Sequence, residues 1–159
     1  MGAWGHHAFE NDVACDWAAA FVELPDKRRW LSRKQDKMTR LRATLASAAS
    51  NGELSSAAAL ERGAELEEVL GASEVVAALA GAPGYQLAAP DAYTEDLVRW
   101  IRTAKVLLPP GLLESARDAV RLVLDGSSLA ELWGDDEDGA EWRKVTENLL
   151  QRLESKAGR

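Results

Sequence analysis

Residues 1–24 read MGAWGHHAFENDVACDWAAAFVEL, and they set the class of the whole chain. Asn11 and Asp12 are good helix N-caps, because a short side-chain oxygen there accepts from the exposed N–H groups of the first turn. From that start, at 100° per residue, Val13, Trp17, Ala20, Phe21 and Leu24 share one face. Cys15, Ala18, Ala19 and Val22 cover the opposite face, and Asp12, Asp16 and Glu23 fall in one narrow acidic seam. A helix apolar nearly all round belongs inside a protein. The segment therefore predicts a largely buried N-terminal helix, with His6 and His7 in a structured arm ahead of it.

Working outward, the same reading repeats. Pro25-Asp26 breaks the chain. A second helix is expected over 32–50, with Met38, Leu41, Leu45 and Ala48 inward, Arg33, Lys37 and Arg40 on another face, and Asn51-Gly52 as its stop. A third helix is expected over 55–79, bent or split at Gly63 and Gly71, since each glycine costs about 1 kcal/mol relative to alanine. Residues 81–90, broken by Gly81, Pro83-Gly84 and Pro90, read as a loop. Further helices are expected over 94–104, with Leu97, Trp100 and Ile101 inward, and after Pro109-Pro110, where Leu113, Ala116, Val120, Val123 and Leu124 form the stripe and Glu114–Arg117 and Arg121–Asp125 pair. A short helix runs from Ser127 or Ser128 through Trp133. A last one over 140–154 buries Trp142, Val145, Leu149 and Leu153. Alanine and leucine dominate, strand-favouring β-branched and aromatic residues are scarce, and no alternating pattern appears. The expectation is an all-α, compact single-domain bundle of five to seven helices spanning 1–159.

The chain carries a net charge of −7, unevenly spread. Residues 23–42 hold eight basic and three acidic side chains, while the remainder is acidic. The basic cluster Lys27, Arg28, Arg29, Trp30, Arg33, Lys34, Lys37, Arg40 and Arg42 would attract phosphate by counterion release. The acidic balance elsewhere repels the same polyanion, so nucleic acid is not the expected partner. A single cysteine excludes an internal disulfide and fits a reducing compartment. No apolar run is long enough for a membrane span, and no charged n-region with an apolar h-region opens the chain, so the expected location is the cytoplasm.

The chemistry-bearing residues are sparse. His6, His7, Glu10, Asp12, Cys15 and Asp16 are potential metal ligands close in sequence, yet no HExxH, CxxC or His-x₃-His spacing organises them, and no metal or other cofactor is expected. Gly134 to Glu141, GDDEDGAE, fails as a calcium loop: with Gly139 at the sixth position, Gly134 and Val145 fall at the first and twelfth. Cys15 lacks a distant histidine to activate it, and neither a nucleophile elbow nor a phosphate loop is present, so no catalytic residue is assigned. Glu65, Glu67, Glu68 and Glu74 lie on the third helix.

Two functions from different classes fit these residues. The first is a non-catalytic acidic protein-binding module, such as an immunity-type protein that neutralises a basic toxin. Its partner would meet Asp135, Asp136, Glu137 and Asp138, flanked by Trp133 and Trp142 as aromatic anchors. The alternative is a Mg²⁺-dependent all-α hydrolase using Asp12, Asp16, Glu65, Glu68 or Glu74 on facing helices.

The strings Gly2-Ala3-Trp4-Gly5, Phe9-Glu10-Asn11-Asp12 and Asp16-Trp17 resemble a bacterial family described only as domain of unknown function 4259. Ala72 to Ala78, Leu108-Pro109-Pro110, Glu131-Leu132-Trp133 and Trp142 extend that resemblance over nearly the whole chain. His6-His7 stands where many relatives carry a small polar or glycine pair. The resemblance implies a small helical protein and supplies no catalytic residue to carry over.

Overall fold

The computed structural model describes residues 4–26, 35–49, 56–104 and 106–157. Among them the chain forms eight helices and no strand: α1 (Asp12–Val22), α2 (Lys37–Ser47), α3 (Ser56–Leu79), α4 (Tyr85–Ala88), α5 (Glu95–Thr103), α6 (Leu112–Leu124), α7 (Ser128–Trp133) and α8 (Glu137–Ala157). The all-α class holds, with one helix more than expected. The addition is α4, a single turn inside the segment read as a loop.

Local chemistry explains most boundaries. The Asn11 side chain accepts from the Ala14 N–H at 2.7 Å, and Asp36 and Ser127 cap α2 and α7 in the same way, each such cap being worth about 1 kcal/mol. α8 begins three residues before the expected start, because Asp136 accepts from the Gly139 N–H at 3.0 Å and caps it. α6 begins at Leu112 rather than at Pro110, since Gly111 turns the chain at φ +79°. The basic cluster from Lys27 to Lys34 lies outside the described residues.

The centre of the bundle is α3, which packs against α1, α2, α5, α6, α7 and α8. Leu66, Val69, Leu70, Ala72, Val75 and Val76 are buried along it. α3 runs unbroken through Gly63 and Gly71, and these glycines let neighbours approach. A Cβ at Gly63 would lie 2.7 Å from Leu132 Cδ1, and one at Gly71 would lie 3.3 Å from Phe9 Cε1. α1 is less enclosed than its sequence implies. It buries Ala14, Trp17, Ala18 and Phe21 and leaves Ala19 and Ala20 at the surface. Alanine loses little by exposure, so it marks a helix without marking a face.

An aromatic row joins α1, α5 and α2. Trp17 stacks on Phe21 at 5.0 Å, Phe21 meets Trp100 edge-on at 5.1 Å, and the Trp17 indole donates to Thr44 Oγ1 at 3.2 Å. Lys37 is the main departure from the expected basic face of α2. It is 4 % exposed, donates to the Leu24 carbonyl, lies 3.1 Å from Asp26 and 5.4 Å from the Trp100 ring centre. Trp100 Nε1 donates to the same Asp26 carboxylate, and that bond, with a smaller contribution from Lys37, holds Asp26 below the ordinary carboxylate range. The expected pairs within α6 are replaced: Arg117 contacts Asp118, and Arg121 reaches Asp118 and, across to α8, Glu154 at 2.6 Å. No helix among the described residues is long and apolar enough to cross a membrane.

Candidate functional site

Between α3 and α7 runs an open groove of about 240 Å³. Leu60, Gly63, Ala64 and Glu67 line it from α3, one turn apart along a single face, and Leu129, Leu132 and Trp133 line it from α7. Gly63 lets Leu132 lie directly on the α3 backbone, which sets the floor. Leu60 and Leu132 are about half exposed at its mouth, at 50 % and 51 %.

Glu67 also lines a small adjoining hollow formed by Gly5, His6, His7, Ala8, Asn11, Leu70, Trp133 and Trp142. The N-terminal arm closes that side. Its backbone bonds to Glu10 through Trp4 and to Gln86 through Phe9. The two adjacent histidines point apart: His6 packs on Trp133 at 5.5 Å, and His7 packs on Tyr85 at 5.8 Å. His6 Nε2 lies 3.3 Å from Asp138 Oδ1, joining the arm to the acidic segment.

The six residues singled out in the sequence occupy two different environments. Asp135, Asp136, Glu137 and Asp138 are exposed; Asp136 caps α8, and Glu137 and Asp138 open its first turn. Trp133 is half-buried at the groove. Trp142 is 3 % exposed beneath it, its ring stacked on Trp133 at 6.1 Å, so it supports the wall and presents no free face. A Cβ at Gly139 would lie 2.1 Å from the Gly134 carbonyl oxygen. That contact fixes the end of α7 directly against the start of α8.

The carboxylates expected for a Mg²⁺ site do not converge. Glu65 pairs with Arg62 at 2.7 Å, Glu68 approaches Arg40 at 3.4 Å, and Glu74 is held by Arg152. Among the described residues, no group of three or more metal-ligating side chains comes together. Cys15 donates to the Phe9 carbonyl, and burial, reinforced by Asp91, Asp12 and Asp16, pushes its thiol up to about 11, which keeps it protonated and unreactive.

Glu67 is the residue that sequence reading passed over. Burial, with a smaller push from the Asp12 carboxylate, raises its carboxyl to about 7. No hydrogen bond or ion pair reaches it among the described residues. A half-buried carboxyl with a displaced titration in a cleft is a mark of a functional site. The signal available in the sequence was its register, four residues after Gly63 and seven after Leu60, on the face where a missing side chain opens space.

The displaced titration has a measurable consequence for stability. Because the folded-state value lies above the ordinary one of 4.5, folding favours the protonated form, and stability falls as pH climbs from about 4.5 to about 7. Glu67→Gln removes that decline. The variant is expected to match the parent near pH 4 and to exceed it by about 1–2 kcal/mol at pH 8, allowing for screening of a group open to solvent. Denaturant unfolding of both proteins across this range checks it; parallel pH profiles contradict it.

No curated protein and no solved structure matches the chain. A family model described as a domain of unknown function (DUF4259) does match, over residues 2–145, and the chain belongs to that family.

Proposed function

We propose that this protein is a non-catalytic protein-binding module whose docking face is the α3–α7 groove with its acidic rim, and whose partner is a basic protein. The observation that carries this reading is a groove mouthed by half-exposed Leu60 and Leu132 whose wall residue Trp133 leads directly into four exposed carboxylates. Among the described residues, none of those four pairs with a lysine or arginine, and Asp138 meets His6. Apolar anchors beside exposed negative charge are what a charge-steered interface requires: the anchors supply affinity, and the rim speeds and orients encounter. A basic toxin held inactive by an immunity-type protein is the kind of partner such a surface suits.

Affinity capture from lysate of the native host tests this. The unaltered protein is expected to retain one stoichiometric basic partner at low salt and to release it at high salt. Leu132→Asp should lose it. The combined Asp135→Asn, Glu137→Gln, Asp138→Asn variant, which spares the cap at Asp136, should bind about tenfold more slowly. Capture of nothing, or equal capture by all three proteins, overturns the reading.

A further inference from the structure

The α3–α7 groove has walls of one kind and a single exception. Leu60, Ala64, Leu129, Leu132 and Trp133 present apolar surface, and Glu67 sits at the end that runs under the N-terminal arm. Burial deepens in that direction along α3, from half-exposed Leu60 to fully enclosed Leu66 and Val69. A carboxylate among apolar walls loses hydration and gains no partner from the described residues, so its capacity for a cation is unmet. Around it, α1 contributes the charge of Asp12, α3 itself carries Glu65 and Glu68, and the arm contributes His6 and His7. α7 and α8 line this region with uncharged side chains, Trp142 among them, and Asp138 of α8 meets His6 at its edge.

A metal ion is a poor occupant, since no group of three or more metal-ligating side chains comes together among the described residues. A long aliphatic chain ending in a cation matches on every count. Its methylenes cover apolar surface, its head can lie over the Trp133 ring, and the carboxylate accepts a charge-assisted hydrogen bond. A volume of about 240 Å³ admits one such chain.

We propose that the groove is a receptor for one lysine or arginine side chain of the partner protein, its stem against Leu60, Leu132 and Trp133 and its cation on the Glu67 carboxylate. The proposal rests on the docking reading above and gives it a chemical specificity. The cation competes with a proton for Glu67, so binding strengthens as pH rises and the carboxylate ionises.

The probes are n-butylammonium, n-butylguanidinium and, as the uncharged control, n-butanol. They are followed by the Trp133 indole N–H resonance, assigned with Trp133→Phe. Both cations are expected to shift this resonance with millimolar affinity, about tenfold more weakly in Glu67→Gln and at about pH 5 than at about pH 8. Glu67→Gln is expected to be at least as stable as the parent, so its loss of binding would not reflect unfolding. Butanol binding as well as the amines, equal binding by Glu67→Gln, or no shift at about 50 mM cation, enough to fill a millimolar site, each overturns the proposal. Should the probes fail while capture of a partner still depends on Leu132 and the rim, docking stands and the lysine–arginine anchor falls. Should the probes bind while capture fails, the cation site stands without the docking role.

Discussion

Arg152→Leu is expected to destabilise the domain by about 3–5 kcal/mol, because it strands a buried carboxylate. Glu74 is 8 % exposed on α3, and Arg152 from α8 grips it with both terminal nitrogens, Nη1 lying 2.9 Å from Oε2. The same guanidinium donates to the Ala82 carbonyl at 3.0 Å, so it also secures the turn after α3. Gly84 lies directly over the pair, where a Cβ would approach Glu74 Oε2 to 2.6 Å; water has little room to replace the lost arginine. The informative control is the double variant Glu74→Gln with Arg152→Met. Removing both charges should recover most of the loss, since a buried pair costs desolvation that an uncharged pair avoids. Chemical denaturation of the two single variants and the double variant measures the coupling. Strict additivity would mean that the two side chains act independently.

Trp17→Ala should cost about 3–5 kcal/mol, the range for emptying a large aromatic site in a core. Trp17 fills the space between α1 and α2, stacked on Phe21, with its indole N–H satisfied by Thr44. Truncation leaves both a cavity and an unpaired buried hydroxyl on Thr44, so the two penalties act together. Trp17→Phe keeps most of the volume and loses the hydrogen bond. It is expected to cost about 1–2 kcal/mol, and thermal unfolding of the pair separates packing from polarity. Equal losses in the two variants would place the whole effect in the hydrogen bond.

The helices were legible because their ends are written in adjacent residues. Asn11 and Ser127 cap where their types predict, and Gly81, Pro83 and Gly84 end α3 where they stand. Faces were less legible. Alanine fills both sides of α1, so periodicity alone does not decide that Ala18 is enclosed while Ala19 and Ala20 meet water. Lys37 reads as a solvent-facing base, and its burial depends on Asp26 and Trp100, which arrive from two other parts of the chain. The groove was hidden for the same reason. Glu67 is one of three closely spaced glutamates, and in sequence they are interchangeable. What separates them is that arginines reach Glu65 and Glu68, while α7 lays apolar surface across the face carrying Glu67. The acidic segment was visible, but its rigidity was not, because the contact of Gly139 with the Gly134 carbonyl is a property of two helices meeting.

α3 serves as both wall and axle. Its first turns border the groove, and its later turns are clasped by neighbours on every side. A continuous helix cannot release one half while the other remains clamped without breaking its own hydrogen-bond ladder. The groove's walls therefore exist only while the bundle is folded, and whatever occupies it lifts the unfolding temperature of the molecule, growing with the logarithm of its concentration above Kd. A melting curve thereby becomes a sensor for a ligand whose chemical identity need not be known in advance.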